Sequence, residues 1–148
     1  MKKILFFDDE HFIIGYLINN LRENYGWRGD KEIAFVSTVD ALLDKMKSND
    51  ETFSLFVLDV MAPKPSCELA KQFSQQELDE MDDGMSLGLV MAKKIRQMER
   101  YSKVPILFLS ARIIPPIPDL EKKYTAYIRK PVSPDEISKI MDELLNNL

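Results

Sequence analysis

Five side chains of this 148-residue chain, Asp8, Asp9, Asp59, Ser110 and Lys130, form a set able to handle a phosphoryl group if the fold brings them together. Three carboxylates in one place repel one another unless a cation sits between them. Hard oxygen ligands of this kind suit Mg²⁺, which keeps several waters and leaves room for a phosphate oxygen. A lysine ammonium supplies charge to an anion, and a serine hydroxyl supplies a hydrogen bond. A carboxylate with such neighbours can attack phosphorus, while metal and lysine neutralise the charge of the transition state.

The segments that would position these residues are legible in the hydrophobic pattern. Residues 53–61 form an apolar, β-favouring run that stops at Asp59, as a central parallel strand buried on both faces does. Ile4–Phe7 is a shorter run ending at Asp8 and Asp9, Val104–Leu109 ends at Ser110, and Ala126–Arg129 ends at Lys130. Glu32–Val36 is a strand with a more polar start, which suits an edge. Between these runs, apolar residues recur at helical spacing. They are Ile13, Ile14, Leu17, Ile18, Leu21 and Tyr25; Val39, Leu42, Leu43 and Met46; and Leu87, Val90, Met91, Ile95 and Met98. Ser37 or Thr38 can cap the second of these helices. Ser133-Pro134-Asp135-Glu136 is a capping box with proline at the first helical position, and it opens a last helix carrying Ile137, Ile140, Met141, Leu144, Leu145 and Leu148. Gly26 to Asp30 reads as a loop in which Trp27 is a local packing plug, and His11 reads as an exposed first-turn residue.

Strands alternating with helices predict one α/β domain with a parallel sheet covered on both faces. Right-handed crossovers then bring the carboxyl ends of all strands to one edge, where open α/β sheets place their ligands. The five residues would meet there.

Composition narrows the function classes. A hydrophobic content of 45% with 30% charged residues is that of an ordinary globular domain, and a net charge of -4 gives no general attraction to nucleic acid or anionic membranes. Cys67 is the one cysteine, which excludes an internal disulfide and suits a reducing compartment. The apolar start is interrupted at Asp8 before it can form a signal peptide, and no stretch approaches the roughly 18 apolar residues of a membrane span. A cytoplasmic protein is expected.

The ordered set Phe7-Asp8-Asp9-Glu10, Leu58-Asp59-Val60-Met61, Asp83-Gly84, Ser110-Ala111 and Tyr127-Ile128-Arg129-Lys130-Pro131 resembles the receiver domain of two-component response regulators (CheY-like). The resemblance covers essentially the whole chain. It implies a doubly wound sheet of five parallel strands in the flavodoxin-like order 2-1-3-4-5. It implies that Asp59 is the phosphoacceptor, and that Asp9 binds Mg²⁺ directly while Asp8 acts largely through water. The Met61 backbone carbonyl would be a further metal ligand. Ser110 and Lys130 would contact the phosphoryl oxygens, Tyr127 would be the aromatic switch, and the Lys130–Pro131 bond would be cis. The implied partners are a histidine kinase or phosphotransfer protein and a downstream protein target. A homodimer is left open, and no nucleic acid or membrane is bound through this domain. Such a receiver assists its own phosphorylation and dephosphorylation without being a conventional enzyme. On this reading residues 1–148 are a single receiver with no output domain.

Two stretches depart from the family pattern. An insert at about 64–83 lies between the third strand and the third helix, with Lys64 to Asp82 separating Pro63 from Asp83-Gly84 where the family has only a short link. Ser66 and Ser74-Gln75-Gln76-Glu77 offer helix caps within this insert, and its place beside the site suits a lid, a docking element or an oligomer contact. Arg112 to Pro118 carries three prolines, which disfavour a helix directly after Ser110 and put the usual output face in question. Two rival functions stand beside the receiver. One is an aspartate-nucleophile phosphohydrolase of the haloacid dehalogenase kind, whose Asp-x-Asp spacing is missing from Phe7-Asp8-Asp9-Glu10-His11. The other is a phosphorylation-independent interaction module on the receiver fold.

Overall fold

The computed structural model describes residues 2–29, 31–60, 70–82, 87–111 and 124–146, without the side chains of His11, Ile13 and Asp82. Its elements run β1 (Lys2–Phe7), α1 (His11–Asn24), β2 (Lys31–Val36), α2 (Val39–Lys47), β3 (Leu55–Asp59), α3 (Gln75–Asp82), α4 (Leu87–Gln97), β4 (Ile106–Ser110), β5 (Thr125–Arg129) and α5 (Pro134–Asn146), with a 3₁₀ turn at Glu99–Tyr101 after α4. The five strands form one sheet in the order β2-β1-β3-β4-β5. Every pairing is parallel. The order and the edge position of β2 are those expected from the sequence.

Strand alternation divides the core into two layers. Ile4 and Phe6 of β1, Leu55 and Val57 of β3, and Leu107 and Leu109 of β4 pack with α1 and α5 on one face. Leu5, Phe7, Phe56, Leu58, Ile106 and Phe108 pack with α2 and α4 on the other. Central strands thus bury both faces, which is why they read as continuous apolar runs rather than alternating ones.

Local chemistry sets the helix starts. Thr38 Oγ1 accepts from the Ala41 N–H at 3.2 Å, so Thr38 rather than Ser37 caps α2. Ser133 Oγ accepts from the Glu136 N–H at 3.1 Å at the start of α5. The insert contributes α3, which opens on a reciprocal capping box. Ser74 Oγ accepts from the Glu77 N–H at 3.1 Å, and Glu77 Oε1 accepts from the Ser74 N–H at 2.7 Å. Trp27 is fully buried, and its Nε1–H donates to Ser138 Oγ on α5 at 2.8 Å. It is therefore not a local plug but a pin between the α1–β2 connection and the last helix.

Candidate functional site

The carboxyl edge of the sheet is where the apolar runs give way to polar chemistry. Asp8 follows the last residue of β1, Asp59 ends β3, Ser110 ends β4 and Lys130 follows β5. Parallel registry holds the strand ends level, with Phe7 beside Leu58, Asp59 beside Leu109 and Ser110 beside Arg129. Further backbone bonds extend this order past the strands. The Val60 N–H donates to the Leu109 carbonyl at 3.0 Å, and the Lys130 N–H to the Ser110 carbonyl at 2.7 Å.

Asp8, Asp9 and Asp59 each place a carboxylate oxygen within 4.8 Å of the others. Asp8 and Asp59 are buried, whereas Asp9 is exposed at the mouth. Both Asp8 oxygens are engaged: Oδ1 accepts from the Glu10 N–H at 2.8 Å, and Oδ2 accepts from Lys130 Nζ at 2.8 Å. Lys130 Nζ also lies 3.6 Å from Asp59 Oδ1. Burial pushes the Lys130 ammonium toward the neutral form. The hydrogen bond to Asp8 and the charges of Asp8, Asp59 and Glu10 outweigh that, and its pKa stands above the usual lysine value. Lys130 is thus a fixed cation holding two buried carboxylates.

The donor set fits Mg²⁺. An octahedral Mg²⁺ keeps cis ligands about 3 Å apart and trans ligands about 4 Å apart. One carboxylate oxygen from each of the three lies within 4.8 Å of the others, on the scale of that spacing. Asp8, hydrogen-bonded on both oxygens, would act at one remove, while Asp9 at the surface and the buried Asp59 would face the ion.

Ser110 is buried at the same edge. Tyr127 is 40% exposed and its ring stacks on Phe108, with centroids 5.2 Å apart. The Lys130–Pro131 bond is cis. The Met61 carbonyl, Ser66, Cys67, the Asp83-Gly84 pair and the 112–118 proline segment lie outside the described residues. Two features beside the site have no counterpart in the sequence reading. Glu10 faces Lys130, and Gly88 of α4 sits against the Asp59 backbone.

No protein-family model matches the chain. No curated protein sequence matches it either. Solved structures do. A CheY-like response regulator receiver domain protein from Methanospirillum hungatei is 18% identical, with a TM-score of 0.64 over 99% of this chain and 94% of that one. The receiver domain of the hybrid histidine kinase CckA is 17% identical, with a TM-score of 0.63 over 97% and 98%. The response regulator TrrA from Thermotoga maritima, solved in complex with Mg²⁺-BeF, is 24% identical, with a TM-score of 0.62 over 97% and 99%. The fold of this chain, strand order included, is that of response-regulator receiver domains.

Proposed function

We propose that the chain is a phosphoacceptor receiver in which Asp59 takes a phosphoryl group from a phosphohistidine on a histidine kinase or phosphotransfer protein. The convergence of Asp8, Asp9 and Asp59 around one spot, with Lys130 bridging two of them, carries this reading. An Asp59 oxygen attacks phosphorus in line, an O–P bond forms, the P–N bond breaks, and the imidazole leaves with the electron pair. Bound Mg²⁺ would supply charge neutralisation to the phosphoryl oxygens, and the TrrA complex with Mg²⁺-BeF supports that choice of metal. Lys130 already lies between Asp8 and Asp59, so a short swing takes its ammonium to a phosphoryl oxygen. Ser110 donates its hydroxyl to another phosphoryl oxygen from the end of the neighbouring strand. Tyr127, now outward on Phe108, follows the serine and reports the modified state to a downstream protein. The receiver assists its own phosphorylation and hydrolysis without turning over a small substrate.

A donor protein must reach the edge of the sheet. The α1 side offers the approach: Phe12 and Tyr16, one turn apart, are 77% and 81% exposed. Beside them an apolar groove of about 510 Å³ runs past Ile14, Leu17 and Val132 to Lys130. Among the described residues no helix is long and apolar enough to cross a membrane.

Intact mass spectrometry after incubation with Mg²⁺ and a small phosphodonor tests the reading. One labile phosphoryl adduct is expected on wild type and none on Asp59→Asn. An unmodified wild type, with both a small donor and a phosphohistidine protein, would overturn it in favour of a phosphorylation-independent module.

A further inference from the structure

Gly88 lies in α4, directly after Leu87, and faces the backbone that leaves β3. A Cβ on Gly88 would stand 2.2 Å from the Asp59 carbonyl oxygen, 2.8 Å from Val60 Cα and 3.0 Å from the Asp59 carbonyl carbon. All three are main-chain atoms, so no flexible side chain can swing aside, and a close-packed interior has no slack to absorb the overlap. Gly15 in α1 is the opposite case, since a Cβ there meets nothing within 4 Å.

The strand end is therefore gripped from two sides. On one, the Val60 N–H bonds to the Leu109 carbonyl of β4. On the other, the α4 backbone rests on the Asp59 carbonyl through the missing side chain of Gly88. The insert helix α3 in turn braces α4. Glu77 pairs with Lys94 at 3.2 Å and Glu80 with Lys93 at 3.4 Å. Phe73 and Met81 anchor the insert in the same core layer as α4, and the Lys94 ammonium lies 5.3 Å from the Phe73 ring centroid.

We propose that Gly88 is a positioning residue for the Asp59 site: its bare backbone seats α4 on the Asp59–Val60 peptide, and the insert helix α3 holds α4 in that seat. The inference rests on the reading of Asp59 as the reacting carboxylate. A methyl group at Gly88 forces a retreat of on the order of 1 Å, and misplacement on that scale is costly at a site that must present oxygens to a metal and to phosphorus.

The test compares Gly88→Ala with Gly15→Ala by Mg²⁺ titration calorimetry and by amide hydrogen exchange at Val60. Gly88→Ala is expected to weaken Mg²⁺ binding about tenfold or more, the scale of losing a contact that orients a ligand. It should also speed exchange at Val60 while leaving Ile4 and Phe6 protected. Gly15→Ala should leave both readouts at wild-type values. Wild-type Mg²⁺ affinity and Val60 protection in a folded Gly88→Ala would overturn the proposal, whatever the change in unfolding temperature. Should Gly88→Ala not fold, the surface variant Glu77→Lys/Glu80→Lys decides. Its like charges facing Lys94 and Lys93 should displace α3 and weaken Mg²⁺ binding about threefold, and unchanged affinity would overturn the proposal. A wild type that binds Mg²⁺ but accepts no phosphoryl group would defeat the phosphoacceptor reading alone, leaving Gly88 to be judged by affinity and exchange.

Discussion

The two helical layers that cover the sheet are built differently. The layer of α1 and α5 is held by apolar packing, by the Trp27–Ser138 pin and by the Lys31–Asp142 ion pair at 3.3 Å, and it leaves a groove leading to Lys130. The layer of α2, α3 and α4 carries the insert, is laced by ion pairs from α3 to α4, and meets the end of β3 backbone to backbone at Gly88. One side carries an apolar groove that reaches Lys130, and the other meets the backbone of β3 at Asp59. On the proposed phosphoacceptor reading this difference separates two tasks, access on the α1 side and placement of Asp59 on the α4 side.

Removing the pin gives the largest effect. Trp27→Ala deletes a fully buried indole and takes the donor from Ser138, and it should cost about 4 kcal/mol of folding stability. Denaturant unfolding measures the loss. If the layers divide the work as argued, Mg²⁺ affinity of the still-folded variant stays at the wild-type value, and a parallel loss of affinity would break the comparison.

Lys130→Met comes next. It strands buried Asp8 and Asp59 without their cation, for an expected cost of about 3 kcal/mol at neutral pH. The sign of the pH dependence follows from the raised pKa of Lys130. Its contribution is fully present below the ordinary lysine value of 10.5 and is lost as pH rises through the higher folded value. Wild type and Lys130→Met should therefore differ by a constant amount through neutral and mildly alkaline pH and converge above it. A gap that persists at the alkaline end would show that lost packing rather than lost charge sets the cost.

The site edge was legible because each apolar run stops on a residue with chemistry, and parallel strands bring all those stops together. Asp59 after Leu58 and Lys130 after Arg129 needed only the period of the strands and the handedness of the crossovers. What local pattern could not reveal were pairings settled by docking. Trp27 looks like a loop residue until α5 arrives, because its partner Ser138 lies at the other end of the chain. Ser74 and Glu77 announce the start of α3, yet nothing within the insert says that Lys93 and Lys94 will receive it. Gly15 and Gly88 are each a lone glycine in a helical pattern, with the same expected penalty of about 1 kcal/mol relative to alanine. Only the approach of β3 distinguishes them. Phe12 and Tyr16 lie off the core-facing stripe of α1, and that is why they are exposed.

The access side is tested by Phe12→Ala/Tyr16→Ala. Both residues are largely exposed, so the cost to folding should be small beside that of Trp27→Ala. Phosphorylation by a phosphohistidine donor protein should slow about tenfold, the scale of losing two aromatic contacts at an interface. Phosphorylation by a small donor should be unchanged, because such a molecule does not use the α1 surface. Equal slowing with both donors would show that the aromatics act on the site itself, and the division between layers would fail.

The smallest effect sharpens the placement side by asking what holds α3. The pairs Glu77–Lys94 and Glu80–Lys93 sit at the surface with partial exposure, where an ion pair is worth under about 1 kcal/mol and is screened by salt. Phe73 and Met81 are buried in the layer beneath, where truncation of one large side chain costs about 3 kcal/mol. Glu77→Gln/Glu80→Gln should therefore lower stability only slightly, with the difference from wild type fading as salt is added, whereas Phe73→Ala should be several times more damaging at any salt concentration. The apolar anchors then supply the attachment, and the ion pairs fix the register in which α3 lies along α4. If α3 holds α4 in its seat as proposed, a charge change too weak to loosen the helix is still felt at the Asp59 carboxylate as a change in Mg²⁺ affinity.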